Sequence, residues 1–556
     1  MAKVNPGPSL ANQYLVAANH HHLAGRLPEA EAGYIDVLRL QPKNPDALHY
    51  LGVIRTQQRN YAEAIKLITR AIKERPNAAE MHSNLGTAYR RSGDAVRAIY
   101  AYRKAIALQP SLAVAHFDLG HALRDAKDFD AALKEYQIYL KDRPEDPVGL
   151  AGLAHAYAGL GRHNEAMTAF DLAITFDPDF AEAYNKIGAF LCDRGQYQTA
   201  VPFHEKAVAL APTVPEWTFD YAIAQLRLEH FAEGWAAYES RCDREHRPLV
   251  RKPAPPAYWR NEDLQGKTIL IWMEQGLGDQ ILFSSILPAL IARARHCIVE
   301  CAPRLVPVFA RSFPTAEIRG NDDTSRPISP ADEVDYQIAA GSMGQYLRPD
   351  RQSFPRHDGY LAADAAAAGA MRARYLDLAK GRRVVGLSWR TRNVAENESK
   401  SIDLTDLASI LRTPGVMFVN LQYGDCRTEI DKAKKLFGVE ILEDPAVDPL
   451  RDMDAFFAQV AAMDLVVTTS NTTAHVAGAQ NKPVWIMLSA VNSLMWYWFV
   501  NRPDSPWYPS ACLIRPSTIH GAEPWHQQVV ATAAARLRKW LEAAAPSDSA
   551  PLHAAS

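Results

Sequence analysis

Two short polar segments carry residue types that can bind an anion, and the first is Gly276-Leu277-Gly278-Asp279. It follows an apolar run at residues 268–273 and precedes an apolar-periodic stretch that begins at Gln280. This order predicts a buried strand, a tight glycine loop and a helix. The unpaired N–H groups and partial positive charge at the start of such a helix favour a phosphate. A plain strand-to-helix turn with Asp279 as the N-cap fits the same residues, because an isolated glycine loop is a weak motif.

The second segment, Asn471-Thr472-Thr473 followed by His475, begins a predicted helix after a strand predicted at residues 465–469. Its amide, hydroxyl and helix N–H groups can hold a phosphate oxygen, and His475 can donate a hydrogen bond to a leaving group. Considered alone, a histidine at this position is more typical of a packed core than of a ligand site.

Alternating strands and helices are predicted to position both segments. After a proline-rich stretch at residues 251–259, strands are expected at residues 268–273, 296–300 and 335–338, and a turn at residues 341–344. An alanine-rich helix at residues 362–380 leads to strands expected at residues 383–389, 416–421, 439–442, 465–469 and 483–488. This alternation predicts parallel βαβ units in two doubly wound, Rossmann-like α/β domains that face a cleft. Without a dinucleotide G-x-G-x-x-G motif, the pattern indicates the glycosyltransferase B (GT-B) architecture rather than a dehydrogenase.

The N-terminal part of the chain contains a repeat with a period of 34 residues. Prolines recur with this period at Pro42, Pro76, Pro110, Pro144, Pro178 and Pro212. Small residues hold the same phase at Gly52, Gly86, Gly120, Ala154 and Gly188. The pattern resembles the tetratricopeptide repeat, a helix-turn-helix unit that stacks into an α-solenoid with a concave groove. We expect six repeats from about Ala11 to Pro212, and a degraded seventh unit at residues 214–241 that docks the array.

A solenoid of this kind favours the binding of a protein partner, although a rigid spacer or an oligomerisation surface would show the same periodicity. The periodic positions are those that hold the helices together. They therefore do not identify the residues of the groove that contact a partner.

Composition restricts the partners and the cofactors. With 61 basic and 63 acidic residues the net charge is −2, without the positive excess expected of a nucleic-acid-binding protein. The six cysteines form no CxxC pair, and the consecutive His20-His21-His22 point in three directions on a helix, so no metal site is predicted. We expect a cytoplasmic protein, since no apolar run is long enough for a signal peptide or a membrane span.

Both polar segments lie in longer motifs that resemble a known family. G-L-G-D-Q-I-L-F-S-S-I-L-P at residues 276–288 resembles the first signature of the heptosyltransferase-like glycosyltransferases, and S-N-T-T-A-H-V-A-G-A-Q-N-K-P-V-W at residues 470–485 resembles their second. The resemblance covers roughly residues 267–515. Its combination with tetratricopeptide repeats is similar to bacterial protein glycosyltransferases, including those that modify flagellin in the cytoplasm.

The resemblance implies a metal-independent, inverting transfer of a sugar from a nucleotide-sugar co-substrate to a hydroxyl, without a resident cofactor. Asp279 matches the family's catalytic base, which takes the proton of a Ser or Thr hydroxyl as it attacks the anomeric carbon. His475 takes the place of a group that assists the leaving nucleotide. The remaining motif positions, implied to bind the donor, are Gly276, Gly278, Ser470, Asn471, Thr472 and Thr473.

One position departs from the family, because its members commonly carry an aspartate where this chain has Ser470. A carboxylate there would suit sugar or ribose hydroxyls, and serine removes its charge. We therefore expect a donor that differs from ADP-heptose, and an ADP-sugar or a UDP-sugar stays an alternative. A CMP-linked nonulosonic acid, whose own carboxylate an aspartate would repel, is our hypothesis for it.

Further candidates lie outside the two motifs. The loop at residues 389–402 offers Arg390 and Lys400 to neutralise a donor phosphate, whereas Arg392 fits a solvated loop equally well. Gln422 follows a predicted strand and is assigned to the nucleotide pocket. Aromatic residues at 496–499 and 507–508 could stack on a base or sugar, but packing in the core or the seam between domains is favoured.

The predicted organisation is a tetratricopeptide superhelix at residues 1–244, a linker at 245–265, and an acceptor-side Rossmann-like domain at 266–381. A nucleotide-sugar domain at 382–545 and a flexible tail at 546–556 follow. The leading hypothesis is a protein O-glycosyltransferase that acts on a recruited partner, with flagellin as the specific candidate from the resemblance. A non-catalytic scaffold with a degenerate transferase domain, which Ser470 keeps open, and a transferase for lipopolysaccharide or another glycan are the alternatives.

Overall fold

The computed structural model describes residues 9–244, 256–321, 334–391, 400–489, 495–518 and 523–543. The chain divides into two units, Met1–Ile187 and Gly188–Ser556. The predicted tail, Arg392 and residues 245–255 of the predicted linker lie outside the described residues.

Helical hairpins build the first unit, as the 34-residue period predicts. Several helices begin at an Asn or Asp whose side chain accepts a backbone N–H of the first turn, among them Asn60, Asp94 and Asp128. The helices are α1 (Leu10–Leu23), α2 (Leu27–Leu40), α3 (Pro45–Gln57), α4 (Tyr61–Glu74), α5 (Ala79–Arg91), α6 (Ala95–Leu108), α7 (Ala113–Asp125), α8 (Phe129–Asp142), α9 (Pro147–Gly159), α10 (His163–Phe176) and α11 (Ala181–Asp193), within which the division between the units falls.

The small residues of the repeat permit the two helices of a hairpin to pack closely. A Cβ atom at Gly86 would lie 2.7 Å from the ring of Tyr102, and one at Gly120 would lie 2.8 Å from the ring of Tyr136. Both tyrosines are fully buried. An alanine would therefore overlap the ring, which explains why glycine recurs at this position.

The second unit continues the hairpins and then forms a first parallel sheet. Its hairpin helices after α11 are α12 (Tyr197–Leu210), α13 (Pro215–Arg227) and α14 (Phe231–Tyr238). The first sheet has the order β1-β5-β2-β3-β4, with β1 (Ala257–Tyr258), β2 (Thr268–Trp272), β3 (His296–Cys301), β4 (Glu317–Gly320) and β5 (Tyr336–Ala339). Its helices are α15 (Leu277–Ser284), α16 (Leu287–Ile291), α17 (Val306–Ser312) and α18 (Met343–Leu347).

A second parallel sheet follows α19 (Ala365–Ala379). Its order is β11-β10-β9-β6-β7-β8, with β6 (Arg383–Ser388), β7 (Val416–Asn420), β8 (Ile441–Leu442), β9 (Leu465–Thr469), β10 (Val484–Met487) and β11 (Ala511–Ile514). The helices are α20 (Ala408–Leu411), α21 (Arg427–Phe437), α22 (Met453–Ala461), α23 (Thr472–Ala479) and α24 (Trp525–Ala543). Every strand pair in both sheets is parallel among the described residues, which confirms the predicted βαβ series.

The differences from the predicted elements concern mainly the sheet edges. Strand β1 lies inside the predicted linker and pairs with β5, and β4 and β11 were not predicted. These strands have two to four residues and a single neighbouring strand each, so their sequence signal is short. The turn predicted at residues 341–344 is wrong, because these residues form a 3-10 helix, Ala340–Ser342, and the start of α18.

A buried ion pair attaches the seventh hairpin, α13 and α14, to the first sheet. Arg241, just after α14, donates to both carboxylate oxygens of Glu274 at 3.1 and 2.7 Å, and to Ser342 Oγ at 2.8 Å. Glu274 also accepts the Gly341 N–H at 2.6 Å. Both side chains of the pair are at most 2% exposed. Within the second unit the seventh hairpin is therefore held against the first sheet, and its predicted docking of the whole array stays a prediction.

Replacing Arg241 by Met should destabilise the second unit by about 3–5 kcal/mol, because it leaves the Glu274 carboxylate buried without its cation. All 11 tryptophans follow Gly188, so tryptophan emission during urea unfolding reports this unit selectively. The control is Arg451→Met, which removes an exposed pair with Asp448 and should cost less than about 1 kcal/mol. Equal costs for the two variants would contradict the docking role of the pair.

Candidate functional site

A cavity of about 700 Å³ in the second unit brings together residues from both sheets. Strand β2 ends before Gly276, Gly278 and Asp279, and β9 ends before Ser470, so the two polar segments occupy strand ends as predicted for parallel sheets. The residues predicted for the site that line this cavity are Gly276, Gly278, Asp279, Lys400, Ser470, Asn471, Thr472 and His475.

The starts of helices α15 and α23 approach each other closely at Gly278 and His475. A Cβ atom on Gly278 would lie 2.8 Å from His475 Cδ2 and 3.3 Å from its Nε2. Gly278 does not have a positive φ, so its backbone would accept alanine and the ring alone excludes the methyl group. Glycine therefore allows the two helix starts to approach each other at the cavity.

Asp279 is the third residue of α15, and Gly276 is its N-cap. The Asp279 carboxylate accepts the Gly276 N–H at 3.1 Å, so it supports the helix start from within the first turn rather than as the predicted alternative N-cap. Burial raises the pKa of the Asp279 carboxyl to about 6, with a further increase from Glu274, while the Gly276 N–H and Lys400 oppose the shift. A carboxylate with a pKa in this range is matched to proton transfer near neutral pH.

His475 lies in the first turns of α23 and is 2% exposed. Its Nδ1 is 2.8 Å from Tyr508 Oη, and its ring stacks on Trp498 with centroids 5.3 Å apart. Burial lowers the pKa of His475 to about 3, and the nearby Lys400 lowers it further. The imidazole is therefore neutral at physiological pH and can donate one hydrogen bond without carrying charge.

Lys400 and Ser470 lie on the second-sheet side of the cavity. Lys400 is 5% exposed, and its Nζ donates to Met495 Sδ at 3.0 Å. Ser470 Oγ accepts the Trp498 Nε1–H at 2.8 Å. Trp498 thus contacts both Ser470 and His475.

Arg390 does not line the cavity, in contrast to its predicted role at a donor phosphate. Its Nε lies 3.1 Å from Glu429 Oε1, and Nη2 donates to the Asp425 carbonyl at 2.7 Å. The acidic partner on α21 turns the guanidinium away. Of the two cations predicted from this loop, Lys400 is the one at the cavity.

Gln422 and Thr473 also lie outside the cavity lining. Gln422 is 4% exposed, and its Oε1 accepts the backbone N–H groups of Trp389 and Arg390 at 2.9 and 3.0 Å, so it joins the ends of β7 and β6. Thr473 is fully buried, and its N–H donates to Asn471 Oδ1 at 3.0 Å. Both residues shape the backbone around the site instead of facing a ligand.

The seventh hairpin forms a wall of the cavity, which the sequence did not indicate. Phe219, Ile223 and Arg227 of α13 line it, together with Arg244. The Arg244 guanidinium lies 4.2 Å from the centroid of the Phe219 ring. The sequence of this hairpin matches only a degraded repeat. It contains no motif that predicts a binding role.

The aromatic residues near the C-terminus are mainly packing residues. Trp496, Trp498 and Trp507 are at most 5% exposed, and Trp496 contacts Trp235 of α14 with ring centroids 5.2 Å apart. The predicted role in the core or seam is confirmed by this burial. The remaining cavity-lining residues, which were not assigned to the site, are Tyr238, Arg241, Gln275, Leu277, Thr391, Tyr423, Met495, Trp496 and Tyr497.

Within the described part of the chain, no three His, Cys, Asp or Glu side chains are grouped so that they could hold a metal ion. No described helix combines the length and apolarity that crossing a membrane requires.

Comparison with known proteins establishes the nature of the first unit. One tetratricopeptide repeat family matches residues 15–76, 57–113 and 117–181, and a second tetratricopeptide repeat family matches residues 180–211. Protein FlbA of Caulobacter vibrioides is 34% identical over 358 residues, which cover 61% of this chain and 59% of FlbA. The chain thus matches less than two thirds of the length of that relative. The predicted tetratricopeptide α-solenoid, a protein-binding architecture, is confirmed.

Solved structures similar to the chain include tetratricopeptide repeat proteins. A tetratricopeptide repeat protein from Parabacteroides merdae is 16% identical with a TM-score of 0.38, covering 42% of this chain and 93% of that protein. MamA is 24% identical with a TM-score of 0.28, covering 31% of this chain and 94% of MamA.

The contact between the two helix starts yields a stability test. Gly278→Ala should destabilise the second unit by about 1–3 kcal/mol, because the added methyl group displaces the His475 ring from its packed position. The control is Gly369→Ala in α19, where a Cβ meets nothing within 4 Å and should be neutral or stabilising by about 0.5–1 kcal/mol. Urea unfolding followed by tryptophan emission measures both, and an unaffected Gly278→Ala protein would refute the close contact.

Proposed function

We propose that the second unit is a metal-independent, inverting glycosyltransferase of GT-B architecture. It transfers a sugar from a nucleotide-sugar to Ser or Thr hydroxyls of a protein bound by the tetratricopeptide repeats, with flagellin as the first candidate. The observation that carries the proposal is the shared cavity of Asp279 and His475, which come from the strand ends of two different sheets. Ligands of open parallel sheets bind at such strand ends.

Asp279 serves as the base in this proposal. Its carboxylate accepts the proton of the acceptor hydroxyl while the hydroxyl oxygen forms a bond to the anomeric carbon. The bond from that carbon to the phosphate oxygen breaks, and the nucleotide leaves with the electron pair. Because attack and departure occur on opposite faces, the anomeric configuration inverts.

The second-sheet side of the cavity supports the departing nucleotide. The first-turn N–H groups of α23, near Thr472, and the Lys400 ammonium supply positive charge there. Neutral His475, in the tautomer with hydrogen on Nε2, donates to the leaving oxygen while Tyr508 holds Nδ1. These groups stabilise the negative charge that develops on the departing phosphate oxygen as the bond breaks. They therefore stabilise the transition state more than the bound donor, which is what accelerates the reaction.

The cavity residues indicate the type of reaction more closely than they indicate which sugar is transferred. Ser470 contributes a neutral hydroxyl that is held by Trp498, and the cavity also contains Arg227 and Arg244 from the seventh hairpin. This positive lining supports the hypothesis of a CMP-linked nonulosonic acid, whose carboxylate an aspartate would repel. A donor panel of CMP-, ADP- and UDP-sugars distinguishes the nucleotides.

Asp279→Asn should lower kcat/KM for the best donor of this panel by about 10²–10⁴-fold, because the base is removed. Wild-type kcat/KM should rise about tenfold per pH unit below about 6 and level off above it, following the pKa of Asp279. The variant should lose this inflection. Intact-mass measurement of the acceptor protein quantifies transfer, and Asp377→Asn, an exposed change on α19, is the control.

The same variant has a stability signature that separates lost chemistry from lost folding. The folded state retains the Asp279 proton from about pH 4 to about 6, where the unfolded chain releases it, so this group's contribution to stability falls as pH rises through that window. Asp279→Asn should therefore be at least as stable as wild type at neutral pH. Transfer at the wild-type rate by Asp279→Asn would reject the base assignment, and a wild-type chain that binds no nucleotide-sugar would support the scaffold alternative.

Removal of the first repeats should separate recruitment from chemistry. A chain that begins at Ala181 keeps α11 whole and retains the α13 wall of the cavity, whereas a cut near Trp259 would remove that wall. We expect nucleotide-sugar binding within about threefold of wild type and a loss of about 10²–10⁴-fold in modification of the protein acceptor, because the local concentration of acceptor is lost.

Tryptophan emission of this shortened chain verifies its folding, since every tryptophan is retained. Unchanged modification of the protein acceptor would contradict recruitment by the repeats. Modification of a purified glycan instead of a protein by both chains would favour the glycan-directed alternative.

A further inference from the structure

A second cavity, of about 1180 Å³, lies in the second unit away from Asp279 and His475 and shares no lining residue with the first. We call it the rear groove. The first-sheet side contributes Ser285 and Arg348, the segment that leads to α19 contributes Tyr360, and the second-sheet side contributes Lys482. Much of the remaining lining is apolar, including Pro288, Ala289, Ile291, Ala292, Phe313 and Pro314.

Arg348 is a buried cation in this groove without an acidic partner. It is 4% exposed, and its guanidinium donates to two backbone carbonyls, those of Leu347 at 2.6 Å and Ser285 at 3.2 Å. Among the described residues no carboxylate lies within ion-pair distance of it. Burial lowers the pKa of Arg348 to about 10, and no neighbouring charge offsets that shift.

A second arginine that lines the same groove has the carboxylate partner that Arg348 does not have. Arg311 binds the Asp454 carboxylate through two hydrogen bonds of 2.7 Å. In place of a carboxylate, Arg348 has the two carbonyl groups and the Phe354 ring, whose centroid lies 5.8 Å from the guanidinium carbon. Because a guanidinium carries five donors, its remaining N–H groups are available to an anion that enters the groove.

Ser285 supplies an unsatisfied hydroxyl next to this guanidinium. Its side chain is 7% exposed, and its Oγ has no hydrogen-bond partner although its own carbonyl accepts from Arg348. A buried hydroxyl without a partner costs about 1–3 kcal/mol, so a bound acceptor atom would recover that cost. Both groups therefore favour the same kind of occupant.

We propose that the rear groove is a binding site for a small organic anion with an apolar body. Its carboxylate, phosphate or sulfonate group contacts the Arg348 guanidinium and Ser285 Oγ, and its apolar part lies against Pro288, Ile291 and Phe313. The site does not depend on the proposed transferase activity. Charge complementarity selects an anion, because Arg348 and Lys482 line the groove, Arg311 is already neutralised, and Asp358 is exposed to solvent.

A matched pair of fluorescent probes tests the proposal on the full chain. The anionic probe is 8-anilinonaphthalene-1-sulfonate, and the neutral probe is N-phenyl-1-naphthylamine, which has the same carbon skeleton without the sulfonate. Wild type should bind the sulfonate saturably. Arg348→Met should weaken sulfonate binding by at least tenfold and leave the neutral probe within twofold, since only the ionic contact is lost.

Two further variants keep the test decisive if Arg348→Met folds poorly. Ser285→Ala removes an unpartnered hydroxyl, so it should not reduce stability, and it should weaken sulfonate binding about threefold or more. Arg356→Met, an exposed change in the same segment of chain, is the control and should leave both probes unaffected. Equal sulfonate affinity in wild type, Arg348→Met and Ser285→Ala would overturn the proposal, as would parallel loss of both probes, which would indicate a non-selective apolar groove.

Discussion

The cavity of the second unit depends on the absence of a side chain at Gly278. This absence lets the His475 ring lie against the first turn of α15, so that the starts of two helices from different sheets border one cavity. The positive ends of both helix dipoles then act on the same small volume. A Cβ at Gly278 would displace the His475 ring from its packed position against the first turn of α15.

The buried surroundings of this contact explain why the pKa of Asp279 is raised while the pKa of His475 is lowered. Burial disfavours charge on either of them, so the Asp279 carboxyl tends to keep its proton and the His475 imidazole tends to lose it. Lys400 moderates the first shift and increases the second, since its charge favours a carboxylate and disfavours an imidazolium. One carboxyl poised near neutrality beside an uncharged donor is an arrangement suited to proton transfer without a buried ion pair.

Two buried arginines show how differently the unit uses the same side chain. Arg241 is surrounded by acceptors, including both oxygens of Glu274, and it holds the seventh hairpin against the first sheet. Arg348 has two carbonyl partners and the Phe354 ring, and it lines the rear groove. The two cavities are connected through aromatic side chains, because Tyr360 of the groove stacks on Tyr508, which is hydrogen-bonded to His475.

The sequence by itself determined the elements whose signals are local and periodic. These are the helical hairpins, most of the parallel strands, and the two polar segments at the strand ends around Asp279 and His475. Tertiary structure alone decided which side chains face the cavity: the choice of Lys400 over Arg390 and the use of α13 as a wall both follow from contacts between residues distant in the chain. A side chain's hydrogen-bond partner depends on packing at long range, and no periodicity in the sequence encodes it.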